Sequence, residues 1–118
     1  MIKHKYGTLS HKQMNKYIKK LHDKIFWLLL YKDPKVNLKE EERVNEEEFK
    51  SYFMSIMVEI NGLNSLFGYP PEIVQLLSVL EYAQIMTQSD AFDFQKYRKL
   101  ILDSESLVTQ IGGVIYDE

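Results

Sequence analysis

The chain has 118 residues, of which 45% are hydrophobic, and a formal net charge of −2. A chain of this size and composition is expected to fold as one domain around a single core. The absence of cysteine excludes disulfides, thiolate metal sites and cysteine nucleophiles. The longest apolar run, residues 25–31, is far shorter than the roughly 20 residues of a membrane-spanning helix, and the N-terminus has no signal-like apolar segment. We therefore expect a soluble, cytoplasmic protein without a membrane association.

The charges are unevenly distributed along the chain. Residues 1–35 carry nine lysines and two aspartates, whereas residues 36–118 carry six basic and fifteen acidic groups. The N-terminal third is therefore strongly basic and the remainder strongly acidic. These two parts are expected to attract each other, either within one molecule or between two copies.

The periodicity of apolar residues predicts an all-α, single-domain four-helix bundle, with residues 1–9 as a flexible N-terminal segment. The first helix is expected over residues 10–32. It begins with a capping box, in which Ser10 and Gln13 satisfy each other's backbone N–H groups, and it ends before Pro34. One apolar stripe follows its length: Met14, Tyr17, Ile18, Leu21, Ile25, Leu28 and Leu29.

The last turns of this helix are apolar on every side. Six consecutive residues rotate through about 600°, so the run 26–31 leaves no polar face. Leu28 and Leu29 continue the core stripe, whereas four other side chains are predicted to face away from the core: Phe26, Trp27, Leu30 and Tyr31. Two interpretations stay open. Either the connecting segment covers these side chains, or they bind a second molecule.

An acidic connecting loop is expected over residues 33–45, with one helical turn near 38–44. The second helix is predicted over residues 46–67, because Asn45 and Glu48 repeat the capping pattern and an apolar stripe follows. Gly62 interrupts that stripe, so the helix is expected to bend or end near it.

The third helix, predicted over residues 72–88, follows the turn residues Gly68 to Pro71. Apolar residues cover nearly its whole circumference, which is typical of a helix at the centre of a bundle or in an interface. We therefore predict that helix three is central, and that three of its residues contribute to a partner surface: Val79, Tyr82 and Met86.

The fourth helix is predicted over residues 91–111. Asp90 and Asp93 are suited to its start, and Gly112 with Gly113 is expected to end it, which leaves residues 112–118 as a C-terminal tail.

Few residues have a spacing that indicates catalysis. His11 and His22 lie about three helical turns apart, too far to share a metal ion. Glu59 and Glu81 are single acids on different helices. Glu81 is expected to be partly buried, and an enzyme or ligand binder with a pocket near these two acids is the third and least favoured hypothesis. No phosphate-binding glycine loop is present. We therefore expect no enzymatic activity, no cofactor and no metal.

A lysine ridge on helix one is the strongest signal for an anionic partner. It consists of Lys12, Lys16, Lys20 and Lys24. Such a ridge could follow a phosphate backbone, but helix three, the obvious recognition helix, contains no basic residue. The simpler interpretation is a solvated face, with the lysines paired to the glutamates at 40–42 and 46–48.

The sequence thus predicts a non-enzymatic helical protein–protein interaction module that self-associates, most simply as a homodimer, through the end of helix one and part of helix three. A small regulatory protein that binds nucleic acid through the lysine ridge is the alternative. Neither the partner nor the biological process is indicated by the sequence.

Overall fold

Four helices make up most of the computed structural model, which describes residues 2–116 and the side chains of residues 2–112. They are α1 (His11–Leu30), α2 (Glu46–Leu66), α3 (Pro71–Thr87) and α4 (Phe94–Tyr116). Two short strands, β1 (Ile2–His4) and β2 (Gly7–Leu9), precede them, and a single 3-10 turn, Glu40–Glu42, lies between α1 and α2. The prediction of an all-α four-helix fold is confirmed.

The helix starts follow from local capping chemistry. The Ser10 hydroxyl accepts a hydrogen bond from the backbone N–H of Gln13, and the Gln13 side chain accepts one from the backbone N–H of Ser10. Asn45 and Glu48 form the same reciprocal pair at α2. At α4, the Asp93 carboxylate accepts from two backbone N–H groups of the first turn. These contacts satisfy donors that a helix start leaves without partners.

The end of α2 also has a specific cause. Tyr69 N–H donates to the carbonyl of Asn64, and Gly68 N–H donates to that of Ser65. This is the Schellman arrangement, which requires a left-handed residue after the helix, and Gly68 has a φ of +77°. Gly62, by contrast, does not interrupt α2, which continues to Leu66. An end of the helix near Gly62, one of the two predicted outcomes, is not observed, because packing of the apolar face outweighs one glycine.

Two segments differ from their prediction. The helix α4 does not end at Gly112 but continues to Tyr116. Gly112 lies on the buried side of α4, where packing can offset the cost of about 1 kcal/mol that a glycine imposes. The predicted tail is therefore helical as far as Tyr116, and residues 117–118 lie outside the described part of the chain.

The segment before α1, predicted to be flexible, forms an antiparallel hairpin in which Ile2 pairs with Leu9 and His4 with Gly7. Ile2 is buried in the common core. The backbone N–H of Lys5 donates to the carbonyl of Leu66 at 2.9 Å. The hairpin thus covers the bundle at the end of α2 and binds one of the carbonyls that this helix end exposes.

The four helices form a ring in which each lies antiparallel to its neighbours in sequence. Tyr31 near the end of α1 contacts Phe49 near the start of α2. Tyr97 near the start of α4 contacts Leu28 near the end of α1. The helix α3 packs mainly against α2 and α4. The core consists of one apolar face from each helix, with Leu21, Ile25, Phe53, Ile60, Leu76, Leu80, Ile101 and Val108 among its members.

The predicted central position of helix three is wrong in this arrangement. Only one face of α3 is buried, and it carries Ile73, Leu76, Leu80 and Ala83. On the outer face, Val74, Tyr82 and Ile85 remain exposed. A ring of four helices gives each helix a single inner face, so an apolar circumference does not by itself place a helix at the centre.

A buried tyrosine closes the end of α1. The Tyr97 side chain is fully buried, and its hydroxyl donates to the carbonyl of Leu28 at 2.7 Å. The last carbonyls of a helix have no partner within it. Around Leu28, the carbonyls of Trp27 and Leu29 accept from the N–H groups of Tyr31 and Lys32. The Tyr97 hydroxyl thus donates, within the core, to a carbonyl of α1 that has no partner within that helix.

Candidate functional site

The end of α1 keeps part of its aromatic surface uncovered. Phe26 is 46% exposed, whereas Trp27 and Leu30 are half-buried. The connecting segment folds against this end, because a hollow of about 360 Å³ is lined both by Leu30 and Tyr31 and by residues of the segment such as Leu38 and Val44. The segment therefore covers the end of α1 only in part, and Phe26 stays open to solvent.

Tyr31 occupies a different position from the one predicted. Its ring lies against three other aromatic rings, at centroid distances of 5.3 Å to Trp27, 6.4 Å to Phe49 and 5.5 Å to Tyr52. It packs against the core of its own chain. Of the four predicted contact residues on α1, Tyr31 is thus mainly an internal packing residue, and Phe26 is the most accessible.

The predicted contact residues of helix three differ in exposure. Tyr82 is 61% exposed, whereas Val79 and Met86 are half-buried and pack against the core. Ile85, which sequence reasoning did not select, is 60% exposed and extends the outer apolar face of α3. The two predicted groups do not form one patch, because α1 and α3 are not main neighbours in the ring.

The lysine ridge is only partly neutralised within the molecule. Lys24 pairs with Glu59 of α2 at 2.8 Å, so its charge is partly neutralised within the chain. Lys12, Lys16 and Lys20 are exposed, and none of the three forms an ion pair with another described residue. The expected pairing of the ridge with the glutamates at 40–42 and 46–48 is therefore wrong.

The acidic segment lies beyond the other end of α1. Lys32 pairs with Glu46 at 3.2 Å, and the carboxylates of Glu42 and Glu48 accept backbone N–H groups in local caps. Three further side chains, Glu40, Glu41 and Glu47, are exposed and form no ion pair among the described residues. Exposed Lys35, Lys39 and Arg43 lie in the same segment, so the negative charge of these glutamates is partly offset.

Glu59 and Glu81 do not converge on a common pocket. Glu59 is half-buried on the side of α2 that faces α1, where Lys24 neutralises it. Glu81 is exposed on α3, and its expected partial burial is wrong. Because the inner face of α3 is taken by aliphatic residues, Glu81 lies toward solvent.

Sequence reasoning missed a polar cluster between α1 and α4. His22 Nδ1 contacts the carboxylate of Glu105 at short range, and its Nε2 lies 3.3 Å from the hydroxyl of Thr109. Glu105 and Thr109 are four residues apart and share one face of α4. They are more than eighty residues from His22, so no local motif could have indicated the contact.

Burial governs the charge state of this cluster. Burial, together with the charge of Asp23, raises the pKa of Glu105 above its ordinary value, against the lowering effects of the hydrogen bond and the charge of His22. One oxygen of the carboxylate, Oε1, is buried without a hydrogen-bond partner among the described residues. When Glu105 is ionised, the negative charge on Oε1 is thus not stabilised by a hydrogen bond from a described residue.

The order Glu105, His22, Thr109 has the connectivity of a carboxylate–histidine–hydroxyl triad, but the surrounding backbone does not support acyl transfer. Such chemistry needs free N–H donors for the developing oxyanion. The N–H groups near these residues lie within long helices, where they bond to carbonyls of the preceding turn. The cluster is therefore better described as a polar contact between helices.

No helix in the described part of the chain is long and apolar enough to cross a membrane. Among residues 2–112, no group of three or more histidine or carboxylate side chains is arranged to hold a metal ion. Comparison of the chain with protein-family models, with curated proteins and with solved structures found no match. The surfaces described above are therefore the basis for assigning a role.

Proposed function

We propose that this chain is a non-enzymatic helical protein–protein interaction module that self-associates through the end of α1. The observation that supports the proposal is the exposure of Phe26 beside Trp27 after the connecting segment has folded against the same end. Burying a phenylalanine side chain stabilises a contact by about 1.5–3 kcal/mol. Aromatic residues are also enriched at protein interfaces.

The outer face of α3 supports a binding role as well. Val74, Tyr82 and Ile85 lie exposed on one helix, and adjacent exposed apolar residues on one element are a feature of contact surfaces. Since α1 and α3 occupy opposite corners of the ring, this second patch would contact a different part of a partner. We propose that it is secondary to the α1 surface.

Replacement of Phe26 tests the proposal. We expect Phe26→Asp to weaken self-association by at least about tenfold, because a charge cannot enter an apolar contact without a large desolvation cost. The measurement is light scattering across a dilution series. Tyr6→Asp is the matched control, because Tyr6 is an exposed aromatic residue of the hairpin at the opposite end of the bundle.

The dilution series also has outcomes that contradict the proposal. A wild-type chain that stays monomeric at every concentration overturns self-association. If Ile85→Asp disrupts association and Phe26→Asp does not, the contact surface is the outer face of α3.

A second candidate function rests on the three lysines of the ridge that form no ion pair among the described residues. The side chains of Lys12, Lys16 and Lys20 are exposed and can contact an anion. The alternative proposal is therefore a small regulatory protein that binds nucleic acid through this ridge. For both proposals, we propose a cytoplasmic location. The test of the alternative is binding to random duplex and single-stranded nucleic acid at two salt concentrations. Binding through phosphates weakens steeply with salt, and no retention at low salt removes the candidate.

A further inference from the structure

A hollow lies between the hairpin and the chain that follows α2, and we call it the hairpin hollow. Its volume is about 500 Å³, and it is lined on one side by residues 3–5 and on the other by residues 65–69. Small-molecule sites have volumes of about 300–1,000 Å³. The Lys5 amide donates to the Leu66 carbonyl, so a backbone hydrogen bond joins the two walls of the hollow.

The helix end at this hollow has its backbone acceptors occupied. The last four carbonyls of α2, residues 63–66, accept from four backbone N–H groups, those of Phe67, Tyr69, Gly68 and Lys5 in that order. A helix end otherwise presents such carbonyls without partners, together with a partial negative charge. No aspartate or glutamate is among the described residues that line the hollow. The donors therefore reduce the negative potential of the helix end, and no lining carboxylate adds to it.

The hairpin side of the hollow is rich in hydrogen-bond donors. Lys3 is exposed and forms no ion pair with another described residue. His4 Nδ1 accepts from the backbone N–H of Tyr6 at 3.1 Å, so the neutral ring carries its proton on Nε2, which is a donor. Lys5 is also exposed, and its ammonium group lies 5.5 Å from the centroid of the Tyr6 ring. Basic donors on one wall and occupied acceptors on the other favour an anionic ligand.

Tyr69 adds an aromatic wall with an unusual backbone. It is 65% exposed, and its φ of +60° lies in the left-handed region, which a bulky residue rarely adopts. Its N–H donates to the carbonyl of Asn64 at 2.8 Å, and the following Pro70 disfavours right-handed helical geometry. Glycine would fit this position with less strain. Strained residues are concentrated where proteins contact ligands, so the exposed ring is a candidate ligand contact.

We propose that the hairpin hollow binds a nucleotide phosphate, with the phosphate against Lys3, His4 and Lys5 and the base stacked on the Tyr69 ring. This chemistry is shared by a free mononucleotide and by the phosphorylated end of a single strand. Lysine binds phosphate as a point charge, and bases stack on aromatic side chains whatever their sequence. The site uses neither the end of α1 nor the lysine ridge, so it is independent of the proposed self-association.

Simpler ligands match only one wall of the hollow. An inorganic anion would contact the donors of the hairpin and would not use the Tyr69 ring. An uncharged aromatic compound would stack on that ring and would leave the lysine charges without a partner. A nucleotide carries both groups in one molecule, and the volume of the hollow suits a ligand of that size.

Isothermal titration calorimetry with four probes tests the assignment. They are adenosine 5′-monophosphate, adenosine, inorganic phosphate and a short single-stranded oligonucleotide with a 5′-phosphate. The mononucleotide should bind at least about tenfold more tightly than adenosine or inorganic phosphate, because only it contacts both walls. Tighter binding of the oligonucleotide than of the mononucleotide would identify the ligand as a strand end, and weaker binding would identify it as a free nucleotide.

Two variants address the two walls separately. Tyr69→Gly removes the ring and suits the observed backbone, so the chain should stay folded. It should bind the mononucleotide at least about tenfold more weakly and inorganic phosphate as the wild type does. Lys3→Gln should weaken the binding of both ligands, because it removes a charge that contacts the phosphate.

The matched controls replace residues of the same types elsewhere. Tyr82→Ala removes a tyrosine that is 61% exposed on α3, and Lys12→Gln removes an exposed lysine of the ridge. Neither residue lines the hairpin hollow, so both variants should bind the mononucleotide as the wild type does. Circular dichroism verifies that every variant is folded.

Three results would overturn the inference. One is the absence of mononucleotide binding to the wild type at millimolar concentration. Another is wild-type affinity of Tyr69→Gly for the mononucleotide, because the base then does not stack on that ring. The third is weaker binding by Lys12→Gln with no change in Lys3→Gln, which would place the nucleotide on the lysine ridge and support the second candidate function instead.

Discussion

At the scale of single residues, two hydroxyl groups make the same type of contact with α1 in different surroundings. Tyr97 of α4 donates to the carbonyl of Leu28, and Tyr52 of α2 donates to the carbonyl of Lys24, each at 2.7 Å. Burial raises the pKa of both, with charge from Tyr31 and Glu59 also contributing at Tyr52, whose pKa rises to about 12. The Leu28 carbonyl lies in the last turn of its helix, whereas the Lys24 carbonyl already faces a helical N–H group.

The substitution Tyr97→Phe should therefore destabilise the fold by about 1–3 kcal/mol, because it leaves a buried carbonyl without a donor. Tyr52→Phe is the matched control and should cost less than about 1 kcal/mol, since the carbonyl of Lys24 keeps its helical partner. Urea unfolding of both variants measures the difference. Equal losses would show that the end of α1 does not depend on the Tyr97 hydroxyl.

A second prediction at this scale concerns pH. The pKa of Glu105 is raised in the folded chain, mainly by burial, so the folded state binds this proton more tightly than the unfolded state does. Its contribution to stability is present at acid pH, below the ordinary carboxyl pKa of about 4, and is lost over the interval in which the pH rises from there through the raised pKa.

Glu105→Gln removes this ionisation, so the wild type should lose stability relative to this variant as the pH rises over that interval. Unfolding free energies measured across it provide the comparison. Asp103→Asn, at an exposed position of the same helix, is the control and should follow the wild type. A variant whose stability changes with pH in parallel with the wild type would contradict the role of Glu105.

At the scale of the elements, local chemistry made the helices predictable and long-range packing made other parts unpredictable. The caps at Ser10 and Asn45 involve residues only three positions apart, so the helix starts could be predicted from the sequence. The hairpin was missed because its two-residue turn, Lys5–Tyr6, lacks the asparagine–glycine or aspartate–glycine signal typical of tight hairpins. Its position depends on Ile2 and on Leu66, which is remote in sequence.

Gly62 within α2 and Gly68 just after its end allow two predictions of opposite sign. A Cβ at Gly62 would meet nothing within 4 Å, so Gly62→Ala should stabilise the chain by about 0.5–1 kcal/mol through the better helical propensity of alanine. Gly68 has a φ of +77°, so Gly68→Ala should destabilise it by about 1 kcal/mol or more. Thermal unfolding measures both. A loss of stability for Gly62→Ala would contradict the regular helical geometry at that position.

At the scale of the whole molecule, the segregation of charge in the sequence predicted attraction between the basic N-terminal third and the acidic remainder. Both lysine–carboxylate ion pairs among the described residues join these two parts, Lys24 with Glu59 and Lys32 with Glu46, but the sequence could not indicate which groups would pair. The contact between His22 and Glu105 could not be predicted either, because it depends on the register of two helices at the two ends of the fold. The sequence also could not show that Phe26 is exposed while Tyr31 packs inside the molecule. This difference depends on the positions of α2 and the connecting segment.

Self-association also links the stability of the whole molecule to its concentration. A contact that forms only between folded chains stabilises them by mass action. The unfolding temperature is therefore a second measurement for comparing Phe26→Asp with Tyr6→Asp. It should rise with protein concentration for the wild type and for Tyr6→Asp, whereas the unfolding temperature of Phe26→Asp should not change with concentration. A concentration-independent unfolding temperature for all three would contradict the proposed function.

The hydrogen bond between the Lys5 amide and the Leu66 carbonyl has a consequence for motion. It joins the turn of the hairpin to the last residue of α2, so movement of the hairpin away from the bundle removes a donor from the end of that helix. Amide protons of the hairpin and of the final turn of α2 should then exchange with solvent deuterium together, as one cooperative unit of local opening.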